Sequence, residues 1–557
     1  MDLKKNYELW LEKATEDVDL QTELKSIAGN DAEIEDRFYR ELEFGTGGLR
    51  GVIGAGTYRM NIYTVAKATQ GYSNYLNENF ENPSVAIAYD SRNKGSLFAE
   101  TAASVFAANG VKVNIYKELM PTPALSFAVR YLKCSGGIVV TASHNPAKYN
   151  GYKVYGSDGC QITVEAANAI LTEIGKVDVF DGVKKIDFNK GLEDGSISYI
   201  GEDCFEAYID AVSDRAVNPK EIDKNVSIVY TPLNGAGRRC VTTCLAKNGY
   251  TQITIPAEQE MPDGNFPTCP YPNPEIREAL EVGLKKAKEI GSDMLLATDP
   301  DCDRCGIAVK DGDDFTLISG NQMGVLLFDY ICKSHTANGT MPNKPVAVTT
   351  IVSTKMVDQV AENYGVEVRR VLTGFKFIGE QIAFLEADGE ADRYIFGFEE
   401  SYGYLSGGFV RDKDAVNASL LICEMFCHYK ALGKSLIEVL NELYEKYGYY
   451  KESLESLVFE GVTGFEKMQN IMKDFSENPP KEVAGHKVVK FVDYNKGVAG
   501  LPKSNVLEFN LEGDTTVVIR PSGTEPKLKI YYLVKGDSIE ADEALIEELK
   551  AFFKALI

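Results

Sequence analysis

The chain spells one succession three times. SVAIAYD at 84–90, NVSIVYT at 225–231 and PVAVTTI at 345–351 are short, β-branched and mostly apolar, and each precedes a loop of small residues and a helix-forming stretch. Those stretches end at Asn109-Gly110, Asn248-Gly249 and Tyr364-Gly365, where glycine supplies the left-handed turn that closes a helix. A second strand follows each glycine, at 111–116, 250–255 and 366–371. Each copy then reaches a further apolar strand that empties into a polar loop: GGIVV before Thr141 to Pro146, MLLAT before Asp299 to Arg304, and YIFGF before Glu399 to Gly403. The repeat predicts an α/β fold of three related α/β domains with mixed, largely parallel sheets. Ligands in such sheets sit beyond the carboxyl ends of the strands, so the three loops are expected to face a common cleft.

The flanks differ. Residues 1–43 read as charged helices with Trp10, Leu11 and Phe38 as packing residues, and 44–51 (FGTGGLRG) as a glycine-rich turn ending in Arg50. From about 450, β-like runs at 487–492, 506–510, 515–519 and 528–534 alternate with polar turns before an amphipathic helix over 538–557. That pattern predicts a C-terminal α+β domain with antiparallel strands. A chain of 557 residues exceeds one core. The expected division is 1–202 with the Ser143 loop, 203–318 with the aspartate loop, 319–445 with the Glu399 loop and 446–557, arranged around a central cleft.

Composition narrows the partners. A net charge of −23 repels nucleic acid and anionic membrane, so any phosphate must be met by local cations. No apolar run approaches a membrane span, and the first residues lack a secretory apolar core, so the expected location is cytoplasmic. The 11 cysteines are scattered and odd in number, which suits reduced, buried thiols. Cys302-Asp-Arg-Cys305 has neither the helix start that thioredoxin chemistry wants nor a second pair for zinc.

The loops carry the chemistry. Ser143 stands at a strand end, and Asn145-Pro146 stops the chain from running on into a helix. Thr141 and Asn145 occupy the places of the glycines in a hydrolase nucleophile elbow, which weakens a hydrolase serine; the loop by itself reads as ordinary turn punctuation or as a phosphoserine, and the other loops favour the second. Asp299, Asp301 and Asp303 alternate, which puts three carboxylates on one side of an extended loop, a set suited to Mg²⁺. Arg304 and Lys310 stand where an EF-hand needs its glycine and its bidentate glutamate. Glu399, Glu400 and Ser401 read as a helix start or an acidic face, or as groups that grip sugar hydroxyls. Arg520-Pro-Ser-Gly-Thr-Glu-Pro-Lys527 combines guanidinium, hydroxyls, a glycine amide and an ammonium, a phosphate cradle. Gly433-Lys-Ser435 mimics the end of a Walker loop, but His428 replaces its first glycine.

TASHNP at 141–146, DPDCDR at 299–304, EES at 399–401 and RPSGT at 520–524, in that order, resemble the α-D-phosphohexomutase family, from about Phe44 to the C-terminus. The resemblance implies a four-domain, heart-shaped enzyme in which Ser143 carries a phosphoryl group. One Mg²⁺ per chain would be held by that phosphoserine with Asp299, Asp301 and Asp303. Glu399 and Ser401, with Thr373 and Gly374, would contact sugar hydroxyls, and Arg520, Ser522, Gly523 and Thr524 the non-reacting phosphate. Arg50, His144, Lys153, Arg304 and Lys413 match positions that bear on phosphoryl transfer and proton movement. The activity implied is interconversion of glucose 1-phosphate and glucose 6-phosphate, with glucose 1,6-bisphosphate as activator and intermediate. Pentose and mannose phosphates are the alternative substrates, and a metal-dependent sugar phosphatase is the alternative class. The sugar loop lacks the histidine of dual phosphomannomutases, and its FEES start is close to phosphopentomutases; Ser401 tilts the choice to glucose. The partners implied are small sugar phosphates, with the chain a monomer or weak homodimer.

Overall fold

Four sheets organise the chain in the computed structural model, which describes residues 3–45, 47–218, 222–459, 461–522 and 527–557. The first runs Gly48–Val52, Tyr149–Gly156, Gly136–Val140, Ser84–Tyr89, Lys112–Ile115, Ile197–Tyr199; the last four strands are parallel. The second runs Asp314–Ile318, Cys305–Asp311, Met294–Thr298, Ile228–Thr231, Ile253–Thr254; the last three are parallel. The third runs Glu367–Val371, Val346–Thr350, Tyr394–Glu399, Gly403–Leu405; the first three are parallel.

The repeat has one topology in all three sheets. Its first strand is central, the second and third strands flank it in parallel, and an antiparallel strand returns beside the third: Tyr149–Gly156, Cys305–Asp311 or Gly403–Leu405. The returning strand is absent from the sequence reading, and it is what turns each polar loop into a connection held at both ends. The helices Gly95–Ala108, Gly237–Lys247 and Met356–Tyr364 cross from first to second strand and close on Gly110, Gly249 and Gly365, at φ 76, 89 and 69°. Positive φ there admits glycine without steric cost.

The glycine-rich stretch is not a plain turn: Arg50 sits in the edge strand Gly48–Val52, opposite Gly151. Glu399 ends a strand rather than starting a helix, and Ser435 caps the helix Leu436–Tyr447. All 11 cysteines are buried thiols. Cys302 packs beneath the helix Gly237–Lys247, where a Cβ on Gly237 would come within 2.8 Å of its Sγ. No helix among the described residues is long and apolar enough to cross a membrane.

The C-terminal sheet is antiparallel throughout: Tyr449–Val458, Lys527–Gly536, Thr516–Pro521, Leu507–Leu511, His486–Asp493, Glu482–Val483. Its first strand, YYKESLESLV, and the helix Gly461–Glu477 lie outside the runs read from sequence. That strand is partly exposed, and its polar residues fall in runs, Lys451-Glu452-Ser453 and Glu455-Ser456, which breaks the period-2 apolar signal. Phe475, Phe509 and Phe553 pack between the sheet and the helices Gly461–Glu477 and Ile539–Leu556.

The helices Leu3–Lys13, Val18–Ser26 and Asp31–Phe38 dock on the first domain through Trp10, which is fully buried edge-on against Phe38, Tyr63 and Phe180. Leu11 only borders this cluster. Trp10→Ala is expected to cost the first domain about 3–5 kcal/mol. Urea unfolding followed by circular dichroism measures the cost, and an unchanged first transition would contradict this account of the docking.

Candidate active site

Ser143 is held in a demanding conformation. Its φ of 51° lies in the left-handed region, which a serine enters only under constraint. Thr141 supplies one constraint: its hydroxyl donates to Asp90 Oδ2 at 2.5 Å and accepts from the Ser143 amide at 2.8 Å. Arg92, itself buried, supplies another. Its guanidinium donates to the carbonyls of Ser143, Pro146 and Tyr149 at 2.5, 3.0 and 2.9 Å, and also to that of Asn145. One side chain thus ties down the whole turn. Arg92 escaped the sequence reading, although its place after the first strand, in Tyr89-Asp-Ser-Arg92, was the available signal.

Ser143 Oγ donates to Asp299 Oδ2 at 2.9 Å and lies 3.3 Å from His144 Nδ1. Asp299, Asp301 and Asp303 are buried, each offering an oxygen within 4.8 Å of the others. Asp299 Oδ1 accepts the amides of Asp303 and Arg304, both at 3.0 Å, which folds the loop around it. Lys153 Nζ approaches Asp301 at 2.7 Å and Asp303 at 3.3 Å, Lys413 Nζ approaches Asp303 at 2.9 Å, and the Thr122 hydroxyl donates to Asp301 at 2.8 Å. These partners come from three different stretches of chain.

The charges remain unbalanced. Burial, then repulsion from Asp301 and Asp303, pushes the Asp299 carboxyl well above the usual carboxylate range. Burial acts on Asp301 in the same direction, but Lys153 and hydrogen bonds outweigh it and hold that carboxyl below the range. Burial tends to strip Lys153 and Lys413 of their protons, and the aspartates more than restore them. Asp301 Oδ1 and Asp303 Oδ1 are buried without a hydrogen-bond partner. Orphaned carboxylate oxygens beside a displaced third carboxyl fit a hard divalent cation with oxygen ligands.

These groups face a cleft of about 1000 Å³. Arg50, Ser143, His144, Lys153, Asp303, Arg304, Thr373, Gly374, Glu399, Ser401, Lys413, Arg520 and Ser522 all line it, and Asp299 and Asp301 lie just behind. Gly523 and Thr524 lie outside the described residues. His144 is kept neutral by burial and by the cations Arg304 and Arg50. Glu399 Oε1 accepts the Gly374 amide at 2.9 Å, joining the two loops expected to meet the sugar, and Thr373 Oγ1 is buried with no partner. Glu400, also on the cleft, accepts from Thr350 at 3.1 Å, and burial next to Glu399 lifts its carboxyl to about 7.

Across the cleft, cross-strand register adds residues the sequence did not single out. Arg520 stands opposite Lys529, and Lys529 opposite Ser456, so the three form one row on the sheet face that lines the cleft. Only the pairing reveals that row. From the donor set, Asp301→Asn should weaken Mg²⁺ binding by at least the ~10–100-fold typical of losing a residue that supports a metal ligand. Isothermal titration calorimetry of the metal alone reads this; unchanged affinity would place the ion elsewhere.

Comparison with known proteins agrees with the four sheets. The chain matches the phosphoglucomutase/phosphomannomutase descriptions of alpha/beta/alpha domains I, II and III over 41–179, 206–312 and 319–447, and of the C-terminal domain over 468–551. It is 35% identical over 553 residues to a phosphoglucomutase of Staphylococcus saprophyticus, covering 96% of this chain and 97% of that one. Two solved structures share the fold. One is a phosphoglucomutase/phosphomannomutase family protein of Burkholderia thailandensis, at 18% identity and TM-score 0.67, covering 92% of this chain and 97% of that one. The other is the open form of the phosphoglucomutase parafusin of Paramecium, at 19% identity and TM-score 0.69, covering 93% and 95%. Four domain matches in order, a relative this similar over its full length and a serine bonded to a three-aspartate cluster make this chain a member of the phosphoglucomutase/phosphomannomutase, or α-D-phosphohexomutase, family.

Proposed function

We propose that the chain is a phosphoglucomutase, interconverting α-D-glucose 1-phosphate and glucose 6-phosphate through a phosphorylated Ser143. The contact of 2.9 Å between Ser143 Oγ and Asp299, at the foot of a cleft whose far wall bears Arg520, carries this reading. Ser143 gives its phosphoryl group to the free hydroxyl of the bound sugar phosphate: the bond from phosphorus to Ser143 Oγ breaks, and one to the sugar oxygen forms. The product, glucose 1,6-bisphosphate, then returns its other phosphate to Ser143. His144, Lys153 and Lys413 line the reacting end; of these His144 is held neutral and can take the proton that leaves the sugar hydroxyl, while Lys153 and Lys413 keep theirs and add positive charge.

Asp299, Asp301 and Asp303 would hold one Mg²⁺, which when bound neutralises charge on the transferring phosphoryl oxygens. Arg50 and Arg304 add positive charge at the same end. Arg520, Ser522 and Lys529 bind the phosphate that is not reacting, so the cleft holds a bisphosphate at both ends. Glu399, Ser401, Thr373 and Gly374 line the same cleft and take the sugar hydroxyls. Buried, unpaired cysteines suit a reducing compartment, which supports work in the cytoplasm.

Two measurements test this. Ser143→Ala should lose nearly all turnover in a coupled assay with Mg²⁺ and glucose 1,6-bisphosphate, and full activity in that variant would reject a phosphoserine. Glucose 1-phosphate should be turned over faster than mannose 1-phosphate or ribose 1-phosphate. Equal rates with ribose 1-phosphate would overturn the choice of sugar, and steady release of inorganic phosphate without bisphosphate would point to a phosphatase.

A further inference from the structure

Arg304 has a carboxylate partner that none of the matched motifs contains. Glu275, in the loop just before the helix Arg277–Ile290, forms an ion pair with Arg304 Nη1, and both side chains line the cleft. The pair is mostly sheltered, with Arg304 16% and Glu275 27% exposed, so water screens it less than an ordinary surface pair. Burial alone would make the Arg304 guanidinium easier to deprotonate; Glu275, ahead of Asp303, Asp299 and Glu399, more than reverses that.

The loop that brings Glu275 there is built firmly. Buried Asn273 accepts the Glu275 amide on its side chain at 3.2 Å, and its carbonyl accepts the Ile276 amide at 3.0 Å. Pro274 rests on the strand Cys305–Asp311, where Gly306 makes room for it: a Cβ on Gly306 would lie 2.7 Å from Pro274 Cβ and 2.9 Å from its carbonyl oxygen. Arg304 is anchored at its other end, its amide donating to Asp299 Oδ1. The guanidinium is therefore fixed from both ends.

Its orientation has a consequence. Glu275 engages Nη1, and Nε is buried with no partner among the described residues. In arginine the Nε–H runs parallel to an N–H of Nη2, and that edge matches two oxygens of a phosphate. A donor left unpartnered on that edge can take an anion bound in the cleft that Arg304 lines.

We propose that Glu275 is a positioning residue for phosphoryl transfer, holding Arg304 by Nη1 so that its Nε edge faces the phosphoryl oxygens. The inference rests on the mutase reading above. The test compares the full chain with Glu275→Ala, Glu275→Asp, Glu275→Gln, Arg304→Ala and the double variant Glu275→Ala/Arg304→Ala. The readouts are kcat and KM for glucose 1-phosphate with Mg²⁺, the Kd of glucose 1,6-bisphosphate by calorimetry, and the thermal midpoint.

Glu275→Ala and Glu275→Asp, the latter too short to reach Nη1, should lower kcat by roughly tenfold or more, as misorientation of a transition-state contact does, and weaken bisphosphate binding, with the midpoint little changed. Glu275→Gln, whose amide oxygen still accepts from Nη1, should recover most of the turnover. The double variant should be no worse than Arg304→Ala. Wild-type kcat in both Glu275→Ala and Glu275→Asp, or a Glu275→Ala loss that multiplies the Arg304→Ala loss, would overturn the proposal. Should the unaltered chain not turn over glucose 1-phosphate, the mutase reading fails, and bisphosphate affinity still decides: an unchanged Kd in Glu275→Ala overturns the positioning role.

Discussion

Three carboxylates buried within a few ångströms of one another must be compensated, and that demand shapes the molecule. Breaking a buried charge pair by removing one partner costs about 3–5 kcal/mol, and Asp299, Asp301 and Asp303 crowd three charges into one loop. The second sheet that carries them supplies Arg304 nearby, but the ion pairs to Asp301 and Asp303 come from elsewhere. Lys153 reaches in from the first sheet, Lys413 from beyond the third, and Thr122 from the first helix layer. The aspartate loop thus draws the domains together, and the same contacts put Ser143 beside it. Domain packing and active-site assembly are one electrostatic problem here, with orphaned oxygens left over for a cation.

Backbone strain recurs at the three equivalent loops. Ser143, Cys302 and Tyr402, each shortly after the third strand of its repeat, have φ of 51, 51 and 65°. Such positions cost of order 1–3 kcal/mol each and persist only where surroundings dictate them. Arg92 and Thr141 dictate the first. The second is braced by the bond from the Cys302 amide to the Asp299 carbonyl and by Cys302 packing under Gly237. The third is tied to the second, because the Tyr402 carbonyl accepts the Cys305 amide at 3.0 Å. One turn geometry, copied three times, displays the Ser143 hydroxyl, the three-aspartate cluster and a pair of glutamates.

The fourth domain joins through a different interface. Ile351, Val352 and Leu372, just after two strands of the third sheet, pack with Tyr494, Val518 and Tyr531, and Lys355 donates to Asn510 and Thr516. That contact sits on the same sheet face as Arg520 and Lys529, so it seats both on the wall of the cleft.

The repeats, the glycine caps and most strands of the antiparallel tail were legible in the linear chain, and the four chemical loops could be singled out there as candidates, because periodicity and turn chemistry are written within a few neighbouring residues. Ser143 and the alternating aspartates could be read as a candidate phosphoserine and a candidate cation site from their own loops. Their contact could not, since it joins residues 156 positions apart. The returning antiparallel strands, the clamp by Arg92, the pairing of Arg520 with Lys529 and of Arg304 with Glu275 were likewise decided only by tertiary structure. Each depends on strand register and on which buried charge finds which partner across a domain boundary, and those are settled by packing of the whole chain rather than by local sequence.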